Sequence, residues 1–191
     1  MVDFPSLTRD HDSPRSAAEV GPEAARSSWA EAAREQLLET ARRYQAVTTY
    51  KELGEGVQLR SGIHTKQLVH YWIGDVLLRV AKDCAARDEP NLSSLCVNAA
   101  GSVGEGYRDA VAATTGEEPA DPDSHAARVR LACYRHFGAD LPAGGGAPSL
   151  TSKLAATRTR TRKAAQEARP VPTCPTCHLA LTASGACDNC D

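Results

Sequence analysis

Residues 65–86, TKQLVHYWIGDVLLRVAKDCAA, decide how the middle of this chain folds. Leu68, Trp72, Val76, Val80 and Cys84 recur at every fourth position, and Val69, Ile73 and Leu77 lie beside them. Side chains four apart share one face of a helix, so the spacing predicts a long helix from about Thr65 to Ala86. Its apolar stripe is wide, which places this helix at the centre of the core.

Upstream, Trp29, Ala33, Leu37, Ala41 and Tyr44 also recur at helical spacing, with Glu31, Arg34, Glu35 and Arg42 between them. After the β-branched step Thr48-Thr49, the positions Tyr50, Leu53 and Val57 predict a short second helix, broken by Arg60-Ser61-Gly62. Downstream, Pro90 ends the long helix, Leu92–Asn98 reads as a strand, and Asn98-Ala99-Ala100-Gly101 supplies turn chemistry. Ser102–Tyr107 reads as the returning limb of a hairpin, loosened by Gly104 and Gly106. A fourth helix is expected after Asp121 or Asp123, with Pro122 in its first turn, Val129, Cys133 and Phe137 on one face, and Gly138 at its end. Helix, short helix, long helix and hairpin is the order of a winged helix-turn-helix.

The last eighteen residues carry a different signal. Cys174-Pro175-Thr176-Cys177 and Cys187-Asp188-Asn189-Cys190 are two CxxC pairs separated by nine residues that include Leu179-Ala180-Leu181. Two residues between cysteines let one tight knuckle aim both thiolates at a single ion, and four thiolates complete a tetrahedral Zn2+ shell. The segment has almost no apolar residues, so its fold is expected to depend on the metal. A closed four-cysteine shell leaves no position for substrate or water, which makes this zinc structural; His178 is a spare ligand. A redox dithiol or a disordered cysteine tail is the alternative.

The fold class expected is therefore mainly α with a small β-hairpin, winged helix-turn-helix-like, plus a C-terminal zinc ribbon. The divisions expected are an unstructured leader over 1–28, a helical domain over 29–138, a flexible linker and basic arm over 139–170, and the ribbon over 171–191. The Gly144-Gly145-Gly146 run marks the flexible part of the linker.

The chain has 191 residues, 41% hydrophobic, and a formal net charge of -2, which excludes a uniformly basic nucleic-acid coat but not local patches. Arginine outnumbers lysine and alanine is abundant, a pattern of GC-rich coding sequence that points to a bacterium or its phage. No apolar run reaches the roughly 18 residues of a membrane span, and the N-terminus lacks the basic flank and apolar core of a signal peptide. A cytoplasmic location is expected, with reduced thiols and no membrane partner.

In a winged helix-turn-helix the start of the third helix enters the major groove, and here that region offers Arg60, His64, Lys66, Gln67 and His70 to phosphates or base edges. An ordinary solvated face would carry the same residues. Residues 152–169 form the second candidate: Lys153, Arg158, Arg160, Arg162, Lys163 and Arg169 stand against Glu167 alone. Such a stretch attracts a phosphate backbone without regard to sequence, or is a solvated linker helix. The expected partner is nucleic acid, duplex DNA first, with a protein docked by the ribbon as the alternative.

Thr49-Tyr50-Lys51-Glu52-Leu53, Tyr71-Trp72-Ile73-Gly74-Asp75-Val76-Leu77, and Leu95-Cys96-Val97 with Gly101-Ser102-Val103-Gly104-Glu105-Gly106-Tyr107 together resemble the DNA-binding domain of the alkylguanine alkyltransferase and alkyltransferase-like family. That resemblance covers residues 49–107 and implies a winged helix and DNA association. The family's nucleophile lies in a Pro-Cys-His-Arg element; the matching position here, Leu92-Ser93-Ser94-Leu95, holds neither the cysteine nor the histidine, so alkyl transfer is not implied. The whole chain also resembles a family of high-GC bacterial proteins with this domain and a terminal CxxC/CxxC ribbon, a likeness that brings no function with it.

No P-loop, dinucleotide fingerprint or HExxH is present. Cys84 and Cys133 fall on apolar helical stripes, where a buried inert thiol is the default. No catalytic residue is assigned, and a small cysteine-dependent enzyme centred on Cys96 is the least favoured of the three readings.

Overall fold

A computed structural model describes residues 15–168, 173–182 and 185–190. These residues are mainly helical, with seven α-helices and two short pairs of parallel strands. Two compact units divide the chain, residues 1–154 and 155–191.

Unit 1 is built on α2 (Pro22–Ala41), α3 (Tyr50–Ser61) and α4 (Ile73–Ala86). Their facing side chains make the main core, in which Leu37, Leu53, Val57, Val76 and Cys84 have no exposed surface. Trp29 and Trp72 meet within it with ring centroids 4.5 Å apart. Burying each large aliphatic side chain contributes roughly 1.5–3 kcal/mol. Two strand pairs pin the helix ends. β1 (Arg15–Ser16) runs parallel to β3 (Ile63–His64), and β2 (Thr48–Thr49) runs parallel to β4 (Cys96–Val97). Thr49 caps α3 in a reciprocal capping box with Glu52.

Two helices follow β4 in the chain, the first of them packed against α4. α5 (Glu105–Thr115) and α6 (Pro122–His136) enclose a smaller cluster of Val97, Val103, Tyr107, Val111 and Ala126. Asp121 caps α6 and Pro122 opens its first turn, as the sequence predicts. Arg130 is buried on α6 and donates to the carbonyls of Ser94 (3.2 Å) and Ser149 (3.2 Å).

The expected β-hairpin over 92–107 is replaced by other structure. Leu92–Leu95 is a 3-10 turn, Cys96–Val97 pairs with β2, and α5 begins at Glu105. The turn at Asn98–Gly101 does form, with Gly101 N–H donating to Asn98 O at 2.9 Å. The returning limb, however, gives its donors to side chains. Val103 N–H reaches the Asp123 carboxylate at 2.9 Å, and Gly104 N–H reaches the Tyr50 hydroxyl at 2.8 Å. A Cβ at position 104 would stand 2.2 Å from that hydroxyl, so glycine is required for the approach.

The long helix starts later than its apolar pattern suggests. Thr65–Leu68 is irregular, Val69–Tyr71 is a 3-10 turn, and the α-helix proper begins at Ile73. Side chains again take the amides: Thr65 N–H donates to Gln58 Oε1 at 2.8 Å, and Gln67 N–H to Thr65 Oγ1 at 3.1 Å.

Residues 15–28, read in the sequence as part of an unstructured leader, form β1, the short α1 (Ala17–Val20) and the start of α2. Residues 1–14 of that leader lie outside the described residues. The glycine-rich stretch after α6 has no regular element, yet side chains hold it: Arg135 donates to Gly145 O at 2.9 Å and the Thr151 hydroxyl to Gly101 O at 2.7 Å. The basic arm is helical, α7 (Ser152–Glu167), and its first turn belongs to unit 1 through buried Leu154. Arg169 lies outside the described residues. Among those described, no helix is long and apolar enough to cross a membrane.

Candidate functional site

The cysteines of unit 2 come together as their spacing requires. Residues 175–177 and 188–190 each form a turn. In the first knuckle, His178 N–H donates to Cys174 O at 2.9 Å and Cys174 N–H to Leu179 O at 2.8 Å. Thr173 and Ala180 then pair as a single antiparallel bridge. The chain returns through Gly185, whose N–H donates to Thr182 O at 2.9 Å.

The sulfurs of Cys174, Cys177, Cys187 and Cys190 all lie within 4.8 Å of one another. Cys174 and Cys190 are 3.9 Å apart and Cys177 and Cys187 are 3.5 Å apart. These are not disulfides. Four sulfurs bound tetrahedrally at about 2.3 Å would be separated by about 3.8 Å, so the observed spacing suits one ion at their centre. The donor set contains no carboxylate or imidazole; His178 is left in the left-handed region at φ 59° and is not among the converging ligands. The amides of Cys177 and Thr176 hold the Cys174 thiol down to about 6, and the Leu179 amide lowers that of Cys177. Cys190 shares hydrogen bonds with the sulfurs of Cys177 and Cys187 and is pushed up to about 11. The four sulfurs together can hold a metal ion. Little else closes this module, since Leu179 is 53% exposed.

In α7, Arg160, Arg162 and Lys163 are exposed and Arg158 is half-buried. Arg158 and Arg162 are four residues apart and share one side of the helix, while Arg160 and Lys163 lie on the other. Lys163 makes a loose pair with Glu167 at 3.8 Å. The helix is polar nearly all round, with cations on two sides.

The five unit 1 positions singled out by the sequence separate into three groups. Arg60 closes on Glu39 (2.7 Å) and Glu35 (3.8 Å) of α2, so its charge is met by two carboxylates in this structure. His70 borders a cavity of about 310 Å³ beside Cys96 and Tyr107. His64, Lys66 and Gln67 line another groove with Arg15 and Arg26. The sequence reading missed these two arginines. Their visible signal was the Ser16-x-x-Glu19 capping box, which marks a helix start immediately after Arg15.

Burial pushes up the thiols of the other three cysteines: Cys133 to about 12, with Cys84 and Cys96 raised as well. A nucleophilic cysteine needs the opposite shift. Cys96 is only 1% exposed, so its position at the cavity floor is that of a packed core thiol. Compared with known proteins, no family model, no curated protein and no solved structure matches this chain.

Proposed function

We propose that this chain is a nucleic-acid-binding regulatory or accessory protein, with α7 as its electrostatic contact and a structural Zn2+ closing a C-terminal ribbon. One observation carries the reading: residues 158–163 of α7 hold four cations, and the helix itself contains a single carboxylate, Glu167. Each phosphate neutralised by such a side chain releases condensed counterions, which favours binding at low salt. Zinc fits because the donors are four sulfurs at tetrahedral spacing, and a closed shell assigns the ion to folding and not to chemistry. In this reading the protein works in a bacterial cytoplasm, where the four thiols stay reduced.

Duplex DNA is the polymer favoured by likeness to a winged helix-turn-helix and to the alkyltransferase-like domain. The order of α2, α3 and α4 supports that form of the proposal. The missing wing and the ion-paired Arg60 weigh against it, which leaves α7 as the primary contact.

The test is fluorescence anisotropy of the zinc-loaded protein with labelled duplex DNA, single-stranded DNA and RNA across a salt series. Replacing Arg158, Arg160, Arg162 and Lys163 by glutamine is expected to reduce the slope of log affinity against log salt by about 3. Absence of binding to all three polymers at low salt would sink the proposal.

A second reading rests on a different observation. Residues 173–191 contain Asp188 and Asp191 but no lysine or arginine, and four thiolates around a divalent ion leave two further negative charges. The ribbon therefore repels phosphate, and with Leu179 exposed it suits a protein partner. Co-purification of a protein that survives high salt, without nucleic-acid binding, would select this adaptor role.

A further inference from the structure

The seven cysteines fall into two chemical classes. Cys84, Cys96 and Cys133 are buried in unit 1, and burial raises all three thiols. Oxidants attack thiolates that they can reach, so these three are inert on both counts. In unit 2, Cys174 is buried, Cys177 and Cys187 are half-buried, and Cys190 is exposed. Sulfurs that ligate a metal do so as thiolates, which is the form that oxidants attack.

Two close approaches run across the module. Cys190 Sγ lies 3.9 Å from Cys174 Sγ, and Cys177 Sγ lies 3.5 Å from Cys187 Sγ. Each joins a sulfur of one CxxC turn to a sulfur of the other. A disulfide holds its sulfurs about 2.05 Å apart, so each pair closes by a movement of less than about 2 Å. Packing does little to resist that movement. Among the described residues of the module Cys174 alone is buried, Leu179 is largely in water, and a single bridge joins Thr173 to Ala180. A module closed by its sulfurs and not by a core opens, or closes differently, when those sulfurs change their bonds.

We propose that the four-cysteine module is a redox switch, in which hydrogen peroxide exchanges bound zinc for two disulfides across the module, Cys174–Cys190 and Cys177–Cys187. The inference rests on the zinc reading above. Cys190, the exposed sulfur, reacts first. Its thiolate attacks one peroxide oxygen, the O–O bond breaks, hydroxide leaves, and a sulfenic acid forms. The Cys174 thiolate then attacks that sulfur, the S–O bond breaks, and a second hydroxide leaves as the disulfide closes. Each disulfide therefore oxidises two thiolates and reduces one peroxide to two hydroxides. Two remaining thiolates do not make a structural zinc shell, so the ion is released and Cys177 and Cys187 close in the same way. A dithiol reductant with added zinc restores the starting state. Disulfides that do form in a reducing cytoplasm are usually transient and serve catalysis or sensing, which matches this use.

The test treats the full-length, zinc-loaded protein with rising hydrogen peroxide while a chromogenic chelator reads released zinc against an untreated control. About two equivalents of peroxide should release the bound zinc. Three of the seven thiols, those of Cys84, Cys96 and Cys133, should remain open to alkylation after unfolding. Chymotrypsin then decides the pairing. It cuts after Leu179 and Leu181, which leaves Cys174 and Cys177 in one peptide and Cys187 and Cys190 in another. The two peptides should stay joined until dithiothreitol is added. Peptides that separate without reductant would overturn the proposal, as would zinc retained while Cys84, Cys96 or Cys133 is oxidised. A protein that takes up no zinc at all sinks the zinc reading and this inference with it. Zinc that binds but is unmoved by peroxide sinks this inference alone.

Discussion

The α2–α3–α4 core and the four-cysteine module close the chain by opposite means. In unit 1, Leu37, Leu53, Val57 and Val76 are fully buried and hold the helices together through apolar area. In unit 2, the described residues of the cysteine module bury Cys174 and leave Leu179 half in water, so on the zinc proposal an ion held by four sulfurs takes the place of a core. The first kind of closure spreads its free energy over dozens of contacts; the second concentrates it at one point. That contrast implies that the two units fail independently and for different reasons.

Metal removal is the largest expected effect. On the zinc proposal, chelation or Cys177→Ser should take bound zinc from one per chain to none by elemental analysis and abolish structure in the cysteine module. Structural zinc sites of this kind contribute roughly 10–16 kcal/mol of apparent binding free energy. The thermal unfolding of unit 1 should not move. A common shift of both would break the comparison by showing that the units depend on each other.

A core truncation should do the reverse. Leu37 is fully buried between α2 and its neighbours, so Leu37→Ala should cost about 2–5 kcal/mol in unit 1, read by denaturant unfolding, with zinc content unchanged. A cost below about 1 kcal/mol would mean that the main core is looser than its burial implies.

The smallest effect sharpens the contrast through pH. The Thr49 amide and hydroxyl hold the Glu52 carboxyl below its ordinary value. A lowered carboxyl contributes stability that is fully present above its unfolded pKa and is lost as pH falls through the folded one. Glu52→Gln should therefore flatten the acid limb of unit 1 stability while leaving neutral-pH stability nearly unchanged apart from the lost cap. An unchanged acid limb would show that this capping box carries no charge-linked stability.

How much was legible in the sequence varied with how local the interactions are. Asp121, Pro122 and the apolar spacing of α6 announce that helix because a cap and a stripe act within a few residues. α5 went unread because Gly104 and Gly106 suggest a hairpin limb, although Tyr107, Ala110 and Val111, all buried, fall at helical spacing. What replaces the hairpin is a non-local fact: Asp123 and Tyr50, distant in sequence, take the amides of Val103 and Gly104. The same holds for Arg60, whose partners Glu35 and Glu39 lie on another helix.

By itself the sequence determined the amphipathic helices, the capping residues and the four converging cysteines, because each is fixed by spacing along a few turns of chain. Only the tertiary structure decided which cations meet carboxylates on other helices, and that Cys96 belongs to the core. It also brought Arg15 to His64 and Lys66, because those outcomes depend on which distant segments lie against each other, and local spacing holds no record of that.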